Sequence, residues 1–335
     1  MLDEFKNKSE PARHEEIGNM LEGIRRRELE AAKIFIALGQ EVRREVEKSI
    51  GGALGDDMDT RGLYSAEGSI SLIGSNDNGL VRTAAFLEAI HDAPSPDKVI
   101  DAGCGALCLL GLAATTFHGS RVEAVELNPF SVAVAQRFVE LAGYKDAIHF
   151  QTGDATTCTF PEADFDCLMT ETFYFGLLEE PGIQIIKNLN RYLKPGGSTV
   201  PSKVAVSTTI NMTFGREERG ERQLLTTLDL AKITDDIITG TTVHTIPSSG
   251  GPDLYINAQA DFIGPRDQAM LTRDRDRERE KFTTLLTSPR RLRNFRTYDF
   301  LDRDEENARI RVRVKYKAGT INGDRENIKV SVERI

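Results

Sequence analysis

The chain has 335 residues, enough for one large domain or two to three smaller ones with a sizeable core. Its net charge of -9 sets it against nucleic acid as a main partner, which would favour a basic face, and suits a cationic substrate. No basic-then-apolar leader stands at Met1 to Lys6 and no apolar run is long enough to cross a membrane, so a cytoplasmic protein is expected.

From about His14 to Ile50, the apolar residues Ile17, Leu21, Ile24, Leu29, Ile34 and Leu38 recur at helical spacing among charges. This predicts one long or two shorter amphipathic helices. Acids alternate with bases there, which favours a helical cap or dimer contact over a membrane-surface helix. Gly51-Gly52 to Asp57 breaks the pattern and places a boundary near residue 60. The stretch from Leu63 to Ile90 carries Tyr64, a turn over Gly74 to Gly79, and Val81-Arg82-Thr83. A short strand, Lys98 to Asp101, then runs into Gly103 and Gly105 ahead of a helix expected from about Leu107 to Thr116. A second strand spans Arg121 to Glu126, a third lies near His149 to Gln151, and a turn at Leu193 to Gly197 precedes a fifth. After Pro201 the pattern turns strand-like. Val204 to Met212 alternates. Ile310, Val312, Val314 and Tyr316 alternate with Arg311, Arg313 and Lys315, and Ile328, Val330 and Val332 repeat this after a loop at Asn322-Gly323. The runs Arg216 to Arg219 and Arg273 to Lys281 are charged, the second with nearly balanced signs, and read as solvated helix or loop. The expected fold is α/β: a Rossmann-like sheet at 61–200 preceded by a helical segment at 1–60 and followed by a β-rich, barrel-like domain at 201–335.

A strand ending in a Gly-rich turn lets backbone approach a ligand, because Gly has no Cβ in the way. Asp101, Gly103 and Gly105 are therefore cofactor candidates. Glu126, 25 residues beyond Asp101, stands where an acid meets ribose hydroxyls, with Leu127 beside it. Asp154, next to Ala155 and just after the third strand, is placed to accept from an adenine amino group. Arg82 is the candidate for a cofactor carboxylate. A dinucleotide fingerprint would need glycine at Cys108, and a G-x-G-x-G turn would need it at Leu107; neither is complete. Asp154, the Leu193 to Gly197 turn and the lack of a pyrophosphate site favour S-adenosylmethionine, with S-adenosylhomocysteine as product, over a nicotinamide cofactor. Cys104, Cys108, Cys158 and Cys167 lack C-x-x-C spacing and read as reduced core thiols, so no metal is expected.

The segment Thr170-Glu171-Thr172-Phe173-Tyr174-Phe175-Gly176-Leu177-Leu178-Glu179-Glu180-Pro181 resembles the double-E loop of the protein arginine methyltransferases. Glu171 and Glu180 are nine positions apart, as in that loop, and the resemblance runs from about Tyr64 to Pro201. It implies a class I methyltransferase in which Tyr64, Arg82 and Glu126 contact the cofactor and Asp101 supports the glycine turn. Glu171 and Glu180 would hold a guanidinium, with Tyr174 lining the site and Glu179 able to replace Glu180 by a one-residue shift. The chemistry agrees. Guanidinium nitrogens are protonated and poorly nucleophilic, and two carboxylates can fork onto them, fix one nitrogen in line and draw charge to the others.

The family's Thr-His-Trp motif is absent, since the chain has no Trp; Val243-His244-Thr245 keeps only the histidine, which makes His244 a substrate-binding candidate. No dimerisation arm is identifiable, although the family implies a homodimer. These departures favour free L-arginine or an arginine-like metabolite over a protein tail, resembling the free-arginine methyltransferases of natural-product biosynthesis. An arginine-containing peptide, a different small-molecule N- or O-methylation, and a noncatalytic cofactor-binding subunit are the other readings.

Overall fold

The computed structural model describes residues 1–50, 65–74, 77–173, 177, 180–212, 222–247, 252–261, 283–285, 290–294, 307–319 and 329–335. Tyr64, Tyr174, Phe175, Glu179, the breaks near residues 51–57, the two charged runs and the Asn322-Gly323 loop lie outside them. Close packing divides the chain into two units. One comprises Met1–Glu171, Asn188–Pro201 and Phe262–Thr284; the other comprises Thr172–Lys187, Ser202–Asp261 and Leu285–Ile335.

In the first unit, the N-terminal periodicity resolves into α1 (Leu2–Lys6), α2 (Glu10–Arg25) and α3 (Leu29–Ile50). The break has a local cause. Arg27 takes a left-handed φ of 63°, and the N–H groups of Arg27 and Glu28 donate to the carbonyls of Ile24 (2.9 Å) and Gly23 (2.8 Å), closing α2 in a Schellman-type turn. Helices α4 (Ala66–Leu72) and α5 (Asp77–His91) follow, so Gly79, expected in a turn, is helical. The Ser65 hydroxyl accepts from the Gly68 N–H at 2.8 Å and caps α4.

Then come β1 (Lys98–Ala102), α6 (Leu109–His118), β2 (Arg121–Glu126), α7 (Pro129–Ala142), β3 (Ile148–Thr152), β4 (Phe165–Thr170), α8 (Gly182–Leu189) and β5 (Leu193–Val200). The strands form a wholly parallel sheet in the order β3-β2-β1-β4-β5. Helices on its faces explain why β1 and β4 read as nearly unbroken apolar runs rather than alternating ones.

The first three helices cap this sheet's helical layer. Phe35 of α3 meets Phe138 of α7 edge-on at 5.3 Å, and both are buried. Burying each such ring contributes roughly 2–3 kcal/mol. Arg137 of α7 donates to Glu45 of α3 at 2.9 Å, fixing the register of the two helices. A Cβ on Gly39 of α3 would lie 2.7 Å from the Leu107 side chain, so α3 packs directly on the segment that follows the glycine turn.

Past Pro201, β6 (Lys203–Met212), β7 (Arg222–Asp229), β8 (Ile237–Pro247), β9 (Pro252–Asp261), β10 (Thr283–Leu285), β11 (Arg290–Asn294), β12 (Asn307–Lys317) and β13 (Lys329–Arg334) build two antiparallel sheets. One has the order β10-β9-β6-β7 with β11 also on β9; the other has the order β13-β12-β8. The alternation along β12 is a sheet with one wet face: Ile310, Val312, Val314 and Tyr316 are buried, while the basic residues between them face out. Among the described residues no helix is long and apolar enough to cross a membrane.

Candidate functional site

In this strand order β1 and β4 are neighbours whose connections leave toward opposite sides, and ligands of doubly wound sheets bind beyond the carboxyl ends of such strands. The cavity found there is lined by residues following β1, by Glu171 immediately after β4, and by α4 and α5. The turn after β1 is held from below, since the N–H groups of Gly103 and Cys104 both donate to the Val125 carbonyl, at 2.8 and 3.2 Å. Gly103 (φ 73°) and Gly105 (φ 65°) take left-handed conformations that side chains resist.

The missing third glycine is explained by two positions. Cys108 itself adopts the left-handed conformation, at φ 47° and ψ 46°, where the dinucleotide fingerprint would place glycine. That conformation delays α6 to Leu109, two residues later than expected. Close packing falls instead to Gly111, where a Cβ would stand 2.6 Å from the Cys108 Sγ and 3.2 Å from Asp101 Oδ2. The thiols of Cys104 and Cys108 are pushed above their ordinary range, Cys104 by its hydrogen bond to Cys108 and then burial, Cys108 by burial. They stay protonated, as packing groups rather than nucleophiles.

Asp101 is 1% exposed. Its Oδ2 accepts the Gly111 N–H at 2.8 Å and lies 3.6 Å from the Cys108 Sγ. Its Oδ1 has no hydrogen-bond partner among the described residues, although Asp101 lines the cavity. Burial pushes the carboxyl up to about 7, against the pull of the Gly111 N–H and the Cys108 thiol, and the Glu126 charge adds to the rise. Glu126 caps the turn from the next strand: Oε2 accepts the Gly105 N–H and Oε1 the Asn128 N–H, both at 2.9 Å. Burial raises it above the usual carboxylate range, with these backbone donors opposing. The Leu127 N–H is a third backbone donor, and the carboxylate keeps lone-pair capacity for a hydroxyl donor.

Arg82, on α5, pairs with Glu171 through Nη1 and Oε1 at 3.2 Å, and both line the cavity. Burial raises the Glu171 carboxyl and the Arg82 charge pulls it back. Behind Glu171, Thr170 is 1% exposed and its hydroxyl donates to the Ala102 carbonyl at 2.8 Å. That bond lies across the last rung of the β1/β4 ladder and sets the spacing between the glycine turn and Glu171. From α4, the Ser69 hydroxyl accepts the Ala106 N–H at 3.2 Å.

Arg82, Asp101, Gly103, Gly105 and Glu171 therefore meet in one cavity, and Glu126 touches its turn. Leu127, Asp154 and Ala155 do not line it. Leu127 is 49% exposed, and Asp154 Oδ1 accepts the N–H (2.8 Å) and hydroxyl (2.7 Å) of Thr156 in a local turn. Glu180 belongs to the second unit, just before α8. His244 also lies there, 5% exposed on β8, with Nε2 2.9 Å from the Thr208 hydroxyl and 3.1 Å from that of Thr242; burial pushes its pKa down to about 4. Ser69, Ile73, Thr83 and Phe86 line the cavity and were missed by sequence reasoning. No residue type among them marks a site; Ser69 and Ile73 lie in and just after α4, and Thr83 and Phe86 lie on α5 beside Arg82. The cavity holds about 100 Å³, room for the amino-acid end of a nucleoside cofactor rather than for all of it.

Residues 99–197 match the family model of a methyltransferase domain. The chain is 28% identical over 139 residues to a ribosomal protein L11 methyltransferase of Desulfitobacterium hafniense, covering 41% of this chain and 42% of that protein. It is 27% identical over 130 residues to phosphoethanolamine N-methyltransferase 1 of Zea mays, covering 37% and 24%. The chain thus spans less than half the length of these curated relatives. Among solved structures, it is similar to the Trypanosoma brucei PRMT1 enzyme-prozyme heterotetrameric complex with AdoHcy, with TM-score 0.50, 15% identity, and 76% of this chain and 89% of that one covered. It is also similar to a crystal structure of PRMT6, with TM-score 0.50, 12% identity, and coverage of 81% and 99%.

Proposed function

We propose, from the premise that residues 99–197 are a class I methyltransferase domain on the fold of the protein arginine methyltransferases, that the chain methylates a guanidino nitrogen. The cofactor of this reading is S-adenosylmethionine, which supplies a methyl group on a cationic sulfonium and leaves as S-adenosylhomocysteine. The preferred substrate is free L-arginine or an arginine-like metabolite. The observation that carries the reading is the Arg82–Glu171 pair beside Asp101 and the glycine turn: a cation for the cofactor carboxylate, and a carboxylate for a cationic substrate, share one cavity.

The residues present fit the amino-acid end of that cofactor. Arg82 has five N–H donors, so it can hold a carboxylate while keeping its bond to Glu171. The unpartnered Asp101 Oδ1 is an acceptor for the α-ammonium group. Glu126 offers its free lone pairs to ribose hydroxyls, and Asp154 offers Oδ2 to the adenine amino group.

Glu171 receives the guanidinium N–H groups, orients one nitrogen and draws positive charge away from it. Arg82 pins Glu171 against rotation. Because burial raises the proton affinity of Glu171, this carboxylate also accepts the proton released as the nitrogen is alkylated. Glu180 is its proposed second carboxylate on the nine-residue spacing alone, and Tyr174 and His244 remain proposed substrate contacts on the resemblance alone.

Mass spectrometry of products after incubation with S-adenosylmethionine and, separately, free L-arginine and an Arg-Gly-rich peptide tests this. A gain of one methyl mass on the free amino acid is expected. Methylation of the peptide alone would move the substrate to protein, and methylation of neither, with cofactor binding measured, would overturn the guanidino reading.

A further inference from the structure

Strand β12 carries a cation at every second position of its outward face: Arg309, Arg311, Arg313, Lys315 and Lys317. Strand geometry spaces such residues by about 6.8 Å, so the row runs for about 27 Å. Some of this charge is answered within the sheet. Arg311 pairs with Glu333 across the β12/β13 ladder, Arg313 reaches the same carboxylate at 3.0 Å, and Lys317 lies 3.6 Å from Asp236. The rest is not. Arg309, Lys315 and Lys329 are exposed and make no ion pair among the described residues. Lys315 stands directly opposite Lys329 in the register, an arrangement of like charges that costs stability. In a chain of net charge -9, this face thus gathers cations that no described residue pairs, with Lys315 and Lys329 set against each other.

We propose that this face docks an extended acidic peptide segment of a partner protein. An extended peptide with an acid at every second residue presents carboxylates at the same repeat as the cations. Its floor is suited to backbone packing: Thr241, Val243 and Thr245 of β8 lie opposite Arg313, Arg311 and Arg309. No aromatic side chain stands among these residues, so the described part of the face offers none of the stacking platforms by which single-stranded nucleic acid is held. This surface is independent of the methyl-transfer reading and stands or falls separately from it.

The test is fluorescence anisotropy of the full chain with a labelled peptide of alternating glutamate and serine. A peptide of the same composition with its glutamates in one block, and an oligouridine of equal length, serve as comparisons. The alternating peptide is expected to bind about tenfold more tightly than either, with affinity falling as salt rises. The triple variant Arg309→Glu, Lys315→Glu and Lys329→Glu should abolish binding, and the neutral pair Lys315→Gln and Lys329→Gln should weaken it several-fold. Lys33→Glu on α3 should leave it unchanged. Equal binding of the block peptide, tighter binding of oligouridine, or wild-type affinity in the neutral pair would each overturn the proposal.

Discussion

If Asp101 receives the cofactor's ammonium as proposed, its carboxyl group makes cofactor binding proton-linked. Its pKa of about 7 in the folded chain, against an ordinary 3.8, means that most Asp101 side chains are neutral at pH 5 and at least half are charged by pH 7. The sign follows. Between 3.8 and 7 the folded state holds a proton that the unfolded state has lost, so this group's stabilising contribution is full below 3.8 and fades as pH rises through 7. The loss is about 4 kcal/mol, reduced where structure relaxes. A ligand ammonium placed on Oδ1 reverses the preference by stabilising the carboxylate. A hydrogen bond between charged groups is worth about 1.5–3 kcal/mol, equivalent to lowering the Asp101 pKa by about one to two units in the complex. The dissociation constant of S-adenosylhomocysteine should therefore fall about 5- to 25-fold from pH 5 to pH 7, with release of up to about one proton. Isothermal titration calorimetry in buffers of different ionisation enthalpy measures both quantities. Asp101→Asn keeps an acceptor for the Gly111 N–H but removes the charge, and should show weak, pH-independent binding. A flat wild-type profile, or an Asn variant that keeps the slope, would refute the placement of the ammonium on Asp101.

Glu171→Gln should lower methyl transfer at least about 100-fold while changing S-adenosylhomocysteine affinity only a few-fold, read by product mass and calorimetry. Thr170→Val removes the hydroxyl bond to the buried Ala102 carbonyl, costing about 1 kcal/mol and lowering the melting temperature by a few degrees; Thr170→Ser should restore it. The pKa of His244, about 4 against 6.5, is depressed by burial, so its contribution is complete above pH 6.5 and is lost as pH falls toward 4. It amounts to at most about 3 kcal/mol, less with solvent screening, and acid titration of wild type against His244→Gln should show the difference.

Much of the site was legible in the residues because it is local along the chain. The strand-glycine-helix pattern at 98–116 and the acid ending β2 describe backbone that must turn sharply beside a sheet. Asp101, Gly103, Gly105 and Glu126 therefore fell where the spacing put them. Arg82 was different. Its partner, Glu171, is 89 residues away in sequence, and only the tertiary placement of α5 beside the end of β4 makes them an ion pair. The same holds for Ser69, which touches the glycine turn from a short helix with no motif of its own.

The left-handed Cys108 shows what periodicity cannot carry. The sequence lacks the expected glycine, yet the backbone still takes glycine's conformation, because the β1-to-α6 connection requires it and buried contacts around Gly111 hold it there. Sequence alone determined the class of fold, since alternation and glycine placement are set by strand and turn geometry within a few residues. Tertiary structure alone decided protonation and pairing. Burial raises Asp101 to about 7, two threonines from different strands surround His244, and β13 sets Lys329 against Lys315. Those properties depend on which distant groups exclude water from a side chain, and no spacing along the chain encodes that.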